Sequence, residues 1–412
     1  MAYEIIGGTF DSDRHQVRRN FLMAKLVRVT TAPISLNVLL PGQMRFMQEH
    51  GYEVVMVSSD GPELKMVKER EGCRHHIIPM TRRMTPLGDI RCLWLLYRFF
   101  KKEKPDIVHS HTPKAGLLAM LAAKFAGVKL RIHTVAGLRF VTTKGFSRFL
   151  LTRMEKLTGR AATHVWPNSF SLEKYIKKHK LVRAKKLEVI GKGSSNGVNL
   201  LRYSISALQK NKLDEVKQKI KYEERLVYFL SVGRIVHDKG MDELLEAFIH
   251  IYLDNPDTRL ILVGSFEDEV DPVNSKTRGL IHSHPGVIMA GWSDVAEYYM
   301  SLSFALIHPS HREGLPNVIL QAGAMSCPVI CSNIDGNIDI IEHMKTGLIF
   351  EVNSDKDLFS KMDFALKNKE EIKRFASALR KQVEEFYDQP VLHNLLLQRY
   401  DELLSSKSPN KN

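Results

Sequence analysis

The 412-residue sequence lacks an apolar run of the length, about 20 residues, that a membrane-spanning helix needs. Its best candidate is the 14-residue stretch AGLLAMLAAKFAGV from Ala115, which is too short and contains Lys124. Residues 1–22 mix acidic and basic side chains without a long apolar run, so they do not resemble a secretory signal. We therefore expect a cytoplasmic protein. Residues 1–22 precede the first predicted strand and are either a mobile N-terminal extension or a consequence of start-site choice.

Cysteine is also scarce, with four residues in the whole chain, and none has the spacing from histidine that a zinc site requires. Cys327 and Cys331 flank an apolar stretch, which predicts reduced core side chains of a cytosolic protein. We expect no metal site from this pattern.

Several nucleotide-binding and nucleic-acid-binding signatures are missing. No G-x-G-x-x-G follows a predicted strand and no Walker sequence occurs, so the usual phosphate-binding loops are excluded. Because helix-turn-helix, zinc-finger and RNP-like signatures are absent too, we expect no nucleic-acid partner. A nucleotide bound by this chain would need side-chain cations in place of a glycine-rich loop.

Acidic residues are few in the N-terminal half. Residues 1–205 contain 36 Lys and Arg against 15 Asp and Glu, a net charge of +21, whereas the remainder contains 24 against 31, or −7. A basic half predicts an anionic partner, for which a phospholipid surface and a diphosphate-bearing acceptor are the candidates. An ordinary solvated basic surface is the alternative interpretation.

Short β-branched runs alternate with amphipathic stretches along the chain, which is the pattern of parallel sheets covered by helices. A Gly-, Ser- and Asn-rich stretch at 191–204 suits a linker, after which the pattern restarts. The sequence thus predicts an α/β protein with two Rossmann-like doubly wound domains that face each other across a cleft. Their predicted bounds are 23–200 for the N-terminal domain and 201–388 for the C-terminal domain, with a C-terminal helix at 389–405 packing back and a tail at 406–412.

The stretch PSHREGLPNVILQAGAMSCPVI, residues 309–330, places an acid and a glycine where a predicted strand ends and a helix begins. Pro316 fits the first helical turn, and the amides of Asn317 and Val318 then point out of the helix N-terminus, which favours phosphate. Glu313 would be repelled by a phosphate unless it accepts hydrogen bonds from neighbouring hydroxyls, which a sugar supplies. An acid that merely favours the helix dipole is the alternative.

A second stretch, SVGRIVHDKG at 231–240, places two cations after another predicted strand. Arg234 and Lys239 could clamp a diphosphate, Arg234 through its forked donors and Lys239 as a point charge. Two exposed surface charges are the alternative interpretation.

Together these residues resemble the family 4 glycosyltransferases, which are retaining enzymes of the GT-B fold. GRIVHDKG, HPSHREGLPNVILQAGAMSCPVI and GNIDIIEHMKTGLIF carry the resemblance in the C-terminal half, and PISLNVLLPGQMRFMQEHGYEVVMVS, PDIVHSHTPKAG and NGVN carry it in the N-terminal half. The resemblance extends from about residue 25 to 405. It is greatest to the bacterial branch that builds capsule, O-antigen or lipid-linked oligosaccharides.

The resemblance implies roles for individual residues. Arg234 and Lys239 would hold the donor diphosphate and stabilise it as it leaves, and Glu313 would bind hydroxyls of the donor sugar. No metal would be needed, because the cations and the helix N-terminus carry the developing charge. The other donor-binding residues implied are Gly233, Gly291, Trp292, Gly314, Leu315, Asn317, Val318 and Gln321.

The sequence departs from the family pattern at two positions. Gln321 stands where the family has the second acid of a Glu-x7-Glu pair. Its amide oxygen can still accept a hydrogen bond from a ribose hydroxyl, but it carries no charge. Ala136 stands where the family commonly has a histidine beside the donor sugar. The cleft residues expected on the acceptor side are Pro33, Ser35, His109, His111, His133 and Gly137.

Two further patterns leave alternatives open. His109 and His111 share one face of a strand, which would allow metal chelation, but no third ligand is spaced nearby and we favour histidines that border the cleft.

The stretch GFSRFLLTRMEKL, residues 145–157, predicts an amphipathic helix that either contacts an anionic membrane surface or faces the core with a basic exterior.

From these observations we expect a metal-independent retaining glycosyltransferase without a cofactor. It would move a hexose or N-acetylhexosamine from a UDP-sugar to a polyprenyl-diphosphate-linked saccharide, peripherally at the inner face of the membrane. A catalytically weak scaffold, suggested by Ala136 and Gln321, and a nucleotide-sugar epimerase of the same fold are the alternatives.

Overall fold

The computed structural model describes residues 24–138, 145–267 and 271–406. The extension 1–22 and most of the predicted tail, residues 407–412, lie outside the described residues. Two compact units result: the first comprises 24–134, 154–165 and 397–406, and the second comprises 135–138, 145–153, 166–267 and 271–396.

A six-stranded sheet of order β3-β2-β1-β4-β5-β6 forms around the first strand. β1 pairs in parallel with both β2 and β4, and β2 with β3. The strands are β1 Ala24–Val29, β2 Tyr52–Ser58, β3 Arg74–Ile77, β4 Ile107–Ser110, β5 Leu130–Val135 and β6 His164–Pro167. The helices along this part of the chain are α1 Pro33–Leu39, α2 Gln43–Glu49, α3 Leu64–Glu71, α4 Pro86–Glu103, α5 Pro113–Ala126, α6 Gly145–Ala161 and α7 Phe170–Lys178.

The second unit contains another six-stranded sheet, of order β12-β11-β10-β7-β8-β9. Its strands are β7 Val227–Val232, β8 Thr258–Val263, β9 Val287–Gly291, β10 Ala305–His308, β11 Val329–Ser332 and β12 Leu348–Phe350. The helices that follow α7 are α8 Lys210–Ile220, α9 Met241–Asp254, α10 Ser275–Ser283, α11 Ala296–Leu302, α12 Asn317–Ala324, α13 Asp355–Lys367, α14 Lys369–Phe386 and α15 Gln389–Ser405. Both strand orders are doubly wound, which confirms the predicted fold class.

Alternation along the strands explains how the second sheet buries both faces. On β7, Tyr228 and Leu230 belong to one core cluster, whereas Phe229 between them belongs to another. Successive side chains of a strand point to opposite faces, so a nearly continuous apolar strand supplies two cores.

Residues 166–200 pack with the second unit, although the predicted boundary lies at 200. The Gly-rich stretch interpreted as a linker is hydrogen-bonded there, because the Val198 amide donates to the Tyr387 carbonyl (2.8 Å) and the Ser194 amide to that of Asn168 (2.7 Å). The Tyr400 hydroxyl of α15 accepts a hydrogen bond from Arg28 on β1.

Within the described ranges, no helix is both long and apolar enough to cross a bilayer.

Candidate functional site

The strand order of the second unit brings two distant chain segments together. β7 and β10 are neighbours at the centre of the sheet, and the chain runs outward from them in opposite directions. This reversal is the topological switch point, where doubly wound folds bind ligands beyond the carboxyl ends of the strands. Arg234 follows β7 and Glu313 follows β10, so both lie at this edge of the sheet.

Glycines lie at or directly after the ends of the adjacent strands β7, β8 and β9, so no side chain covers the backbone at this edge of the sheet. The Gly264 amide donates to the Gly291 carbonyl (2.9 Å), and the Gly233 amide donates to Val263 (2.9 Å). A Cβ on Gly264 would lie 1.7 Å from the Gly233 oxygen. Gly264 was not among the predicted site residues; its position directly after TRLILV was the signal that could have identified it.

The loop after β10 packs tightly against other backbone. A Cβ on Gly314 would lie 1.9 Å from the Ala136 oxygen, and one on Gly336 would lie 2.4 Å from the Gly314 oxygen. The resemblance implies that Gly314 binds the donor. In the structure the Ala136 peptide lies against this glycine, which therefore has a packing role in fixing the loop.

A cavity of about 340 Å³ lies within the second unit. It brings together the predicted residues Arg234, Lys239, Glu313, Gly314 and Gly137. The remaining lining residues were not predicted, and they are Ala136, Leu138, Leu172, Tyr175, Asp238, His311, Arg312, Ile334 and Asp335.

Glu313 contacts two cationic or polarisable groups in this cavity. The Lys239 ammonium donates to its carboxylate, and the Nε2 of His308, the last residue of β10, lies 3.2 Å from Oε1. Burial alone would raise the pKa of Glu313, but the charge of Lys239 and the adjacent His308 ring outweigh it and hold the pKa well below its usual range. Glu313 is therefore ionised, and can only accept hydrogen bonds.

The other cations of the cavity are also paired with carboxylates. Arg234 Nη1 donates to Glu267 (2.8 Å), and this pair is nearly half exposed. Arg312 forms two bonds to Asp238, from Nε (3.0 Å) and Nη2 (2.8 Å). This forked contact holds the loop after β10 against the short 3-10 turn His237–Lys239, which carries Lys239.

The start of α12 matches the predicted helix within one residue. Pro316 is the N-cap, not the first helical residue, and no side chain of the described part caps this end. Asn317 and Val318 are partly exposed, whereas the Leu315 side chain is buried in the core and can offer a ligand only its backbone. Gln321 lies half-buried on the second turn.

The Trp292 side chain is 70 % exposed directly after Gly291, which has a left-handed φ of 70°.

The histidines predicted at the acceptor side are core side chains of the first unit. His109 Nδ1 contacts Arg28 and Tyr400, its Nε2 contacts Thr134 (2.7 Å), and its ring stacks on His111. Burial lowers the pKa of His109, His111 and His133. These rings are neutral at physiological pH and do not line the cavity described above.

Pro33 begins α1 and is buried, and Ser35 follows it half-exposed. Among the described residues, no group of three or more His, Cys, Asp or Glu side chains could hold a metal ion.

Two family models match the chain. The model for glycosyl transferases group 1 matches residues 212–382, and that for the glycosyl transferase 4-like domain matches 40–193. The capsular polysaccharide biosynthesis glycosyltransferase CapM of Staphylococcus aureus is 34 % identical over 89 % of this chain and 94 % of its own length. An Escherichia coli UDP-Gal:alpha-D-GlcNAc-diphosphoundecaprenol alpha-1,3-galactosyltransferase is 29 % identical over 79 % of this chain and 85 % of its own.

Solved structures share the fold. Anabaena HepE, crystallised with UDP and glucose, superposes with a TM-score of 0.77 at 15 % identity, covering 92 % of this chain and all of HepE.

Proposed function

Because the chain belongs to the family 4 glycosyltransferases, we propose that it moves a hexose or N-acetylhexosamine from a UDP-sugar to a polyprenyl-diphosphate-linked saccharide. The observation that carries this proposal is the meeting of Arg234, Lys239 and Glu313 on one cavity at the switch point of the second sheet. The lipid-linked acceptor is supported by the E. coli relative, whose name specifies a diphosphoundecaprenol-linked sugar. The UDP donor is supported by that same name and by the UDP complex of HepE.

The donor would replace the carboxylate partners of the two predicted cations. A diphosphate carries more charge than a single carboxylate, so it competes for Lys239 against Glu313 and for Arg234 against Glu267. Glu313, released from Lys239, would then accept hydrogen bonds from the hydroxyls of the donor sugar. Lys239 lowers the pKa of Glu313 before this exchange; afterwards the His308 ring and the sugar hydroxyls would be the groups that favour the ionised carboxylate.

We propose a front-face displacement with retention of configuration. The bond between the anomeric carbon and the diphosphate oxygen breaks, the bond to the acceptor oxygen forms, and the acceptor proton passes to the departing diphosphate. Lys239 and Arg234 stabilise the charge that develops on the leaving group, so the reaction proceeds without a metal ion. Gln321 would make an uncharged contact to the ribose in this arrangement.

The enzyme would work peripherally at the inner face of an anionic membrane, since the proposed acceptor is embedded there through its polyprenyl chain. The basic half of the sequence, +21 over residues 1–205, supports attraction to such a surface.

The test is a transfer assay with UDP-hexoses and UDP-N-acetylhexosamines, using a short-chain polyprenyl-diphosphate-linked saccharide, with and without EDTA. We expect one donor to give product in both conditions, with the donor's anomeric configuration retained in its NMR spectrum. Donor binding, seen as a rise in melting temperature, without transfer to any acceptor would favour the scaffold. Isomerisation of the donor without acceptor would indicate an epimerase.

A further inference from the structure

Helix α4, Pro86–Glu103, presents a large apolar surface to solvent. Its buried face consists of Cys92, Leu96, Phe99 and Phe100. On the opposite face Leu87 is 86 % exposed, Ile90 65 % and Trp94 52 %. Residues at i, i+3 and i+7 lie in one row along a helix, so these three side chains form a continuous apolar row. Met84, 54 % exposed, extends it into the preceding loop.

Basic side chains border this row. Arg91 and Arg98 are exposed beside it, and the Arg98 guanidinium lies 4.7 Å from the centre of the Trp94 ring. Residues 81–104 contain seven Lys or Arg and only two acids. Both acids are paired: Asp89 with Lys114 (2.6 Å) and Glu103 with Lys25 (2.8 Å). The surface that surrounds the apolar row is therefore cationic.

Hydrogen bonds from Lys114 fix the N-terminal end of α4 and the loop that precedes it. The Lys114 ammonium donates to Asp89, to the Thr81 hydroxyl (3.1 Å) and to the Arg83 carbonyl. The Thr85 hydroxyl donates to Asp89 (3.0 Å) as well. The apolar row is thus presented by a fixed helix that already packs its other face on the first unit.

We propose that this α4 surface, the row Leu87, Ile90 and Trp94 with Arg91 and Arg98, docks the protein on an anionic lipid bilayer. An apolar row flanked by cations lies parallel to a membrane, with the aliphatic side chains below the headgroups and the cations among the lipid phosphates. Tryptophan favours this interfacial depth. The inference rests on the proposed lipid-linked acceptor, and it differs from the membrane helix predicted at residues 145–157.

The experiment measures flotation of the full chain with vesicles of phosphatidylglycerol and phosphatidylcholine, and with phosphatidylcholine alone. We compare wild type with a Leu87→Ser, Ile90→Ser, Trp94→Ser variant and with an Arg91→Gln, Arg98→Gln variant. The matched control is Phe146→Ser, Phe149→Ser on α6, whose side chains are also exposed, 77 % and 55 %. Since all these positions face solvent, circular dichroism and melting temperature should match wild type.

We expect wild type to bind only the anionic vesicles, the apolar and the charge variants each to bind at least about tenfold more weakly, and the α6 control to keep most of its binding. In a Trp292→Phe background, vesicles should also blue-shift the Trp94 emission, because Trp166 is already buried. Wild-type binding by both α4 variants, or loss of binding only in the α6 variant, would overturn the proposal. The proposal would also be overturned if wild type binds no vesicles but self-associates as its concentration rises, and the apolar substitutions abolish that self-association.

Transfer to a water-soluble acceptor with a shortened lipid separates this inference from the proposed function. The α4 variants should transfer to it as wild type does, while losing rate on the same acceptor in vesicles. If wild type transfers no sugar to any acceptor, the proposed function is wrong. The flotation assay still measures whether the α4 surface binds a bilayer, whichever result the transfer assay gives.

Discussion

At the residue scale, the central feature is a carboxylate that is kept ionised in a partly enclosed cavity. Glu313 lies between Lys239 and His308, and its side chain is only 17 % exposed. An unpaired carboxylate at this depth would be costly, so the two partners stabilise the ionised group in the folded protein. Under the proposed function the same group would link activity to stability.

Replacing Glu313 by Gln should lower transfer by about a hundredfold to a thousandfold, since a neutral amide accepts hydroxyl bonds weakly and offers no charge to the sugar. Steady-state kinetics would show the loss in kcat more than in KM. Glu342→Gln is the matched control, because Glu342 forms an exposed pair with Lys345 away from the cavity and should change the rate by no more than about twofold. Equal effects of both substitutions would contradict the role given to Glu313.

The lowered pKa of Glu313 also predicts how stability depends on pH. The unfolded chain binds a proton on this group near pH 4.5, whereas the folded protein resists protonation until a lower pH. The stabilisation that ionised Glu313 provides is therefore complete above its unfolded-state pKa of 4.5. It decreases as the pH falls from 4.5 toward the lower pKa of the folded protein. The measurement is urea unfolding of wild type and Glu313→Gln from pH 3.5 to 7. The difference in unfolding free energy between the two proteins should be constant above about pH 5.5. Below pH 4.5, wild type should lose stability relative to Glu313→Gln. A constant difference over the whole range would refute the shift.

At the scale of the elements, short segments between strand and helix position the site. The loop after β10 is held by Arg312 on Asp238 and by the approach of Gly314 to the Ala136 peptide. The 3-10 turn that carries Lys239 ends at Gly240, whose left-handed φ of 67° brings it against Pro309. Two loops from different strands are thus fixed against each other by backbone contacts that tolerate no Cβ.

Gly314→Ala should destabilise the protein by about 1–3 kcal/mol, because the added Cβ would overlap the Ala136 carbonyl and force the loop to shift. Gly279→Ala is the matched control on α10, where nothing lies within 4 Å of an added Cβ. Alanine there should be neutral or stabilising by up to about 1 kcal/mol, as in any helix interior. Thermal unfolding of the two variants measures both effects; a wild-type melting temperature for Gly314→Ala would mean that the loop is not tightly packed.

At the scale of the whole molecule, charge is divided between the two halves of the chain. The charged cavity residues all follow residue 205 and so belong to the acidic half, in which Arg234, Lys239 and Arg312 are cations that line the cavity. The cationic α4 surface belongs to the basic half. This division is consistent with the proposed function, in which cations of the acidic half bind the donor diphosphate and the basic half meets the lipid-linked acceptor.

Much of the fold could be read from local patterns. Apolar β-branched runs such as RLVYFLSVG and TRLILV indicate strands, and these two runs form β7 and β8. β3, β6 and β12 were missed; β3, with its sequence RHHI, has no apolar run and is largely exposed. Only pairing with β2 makes Arg74–Ile77 a strand, and pairing is not a local property.

Within the site, Arg234, Lys239 and Glu313 were predictable because each follows a strand or precedes a helix within a short motif. His308 was not, since it ends an apolar strand and looks like a core residue until its ring is found 3.2 Å from Glu313. Arg312 and Asp238 are 74 positions apart, so nothing in the sequence indicates that they bind each other.

The sequence by itself determined the doubly wound class, the family, and the residue types proposed to bind a diphosphate and a sugar, because hydrophobic alternation and short motifs are encoded over a few neighbouring positions. Tertiary structure alone decided which carboxylate each cation contacts, that the acceptor-side histidines are neutral core groups, and that α4 leaves an apolar row in solvent. Hydrogen bonds, ion pairs and burial act over a few ångströms in space, and the chain order of residues does not specify those distances.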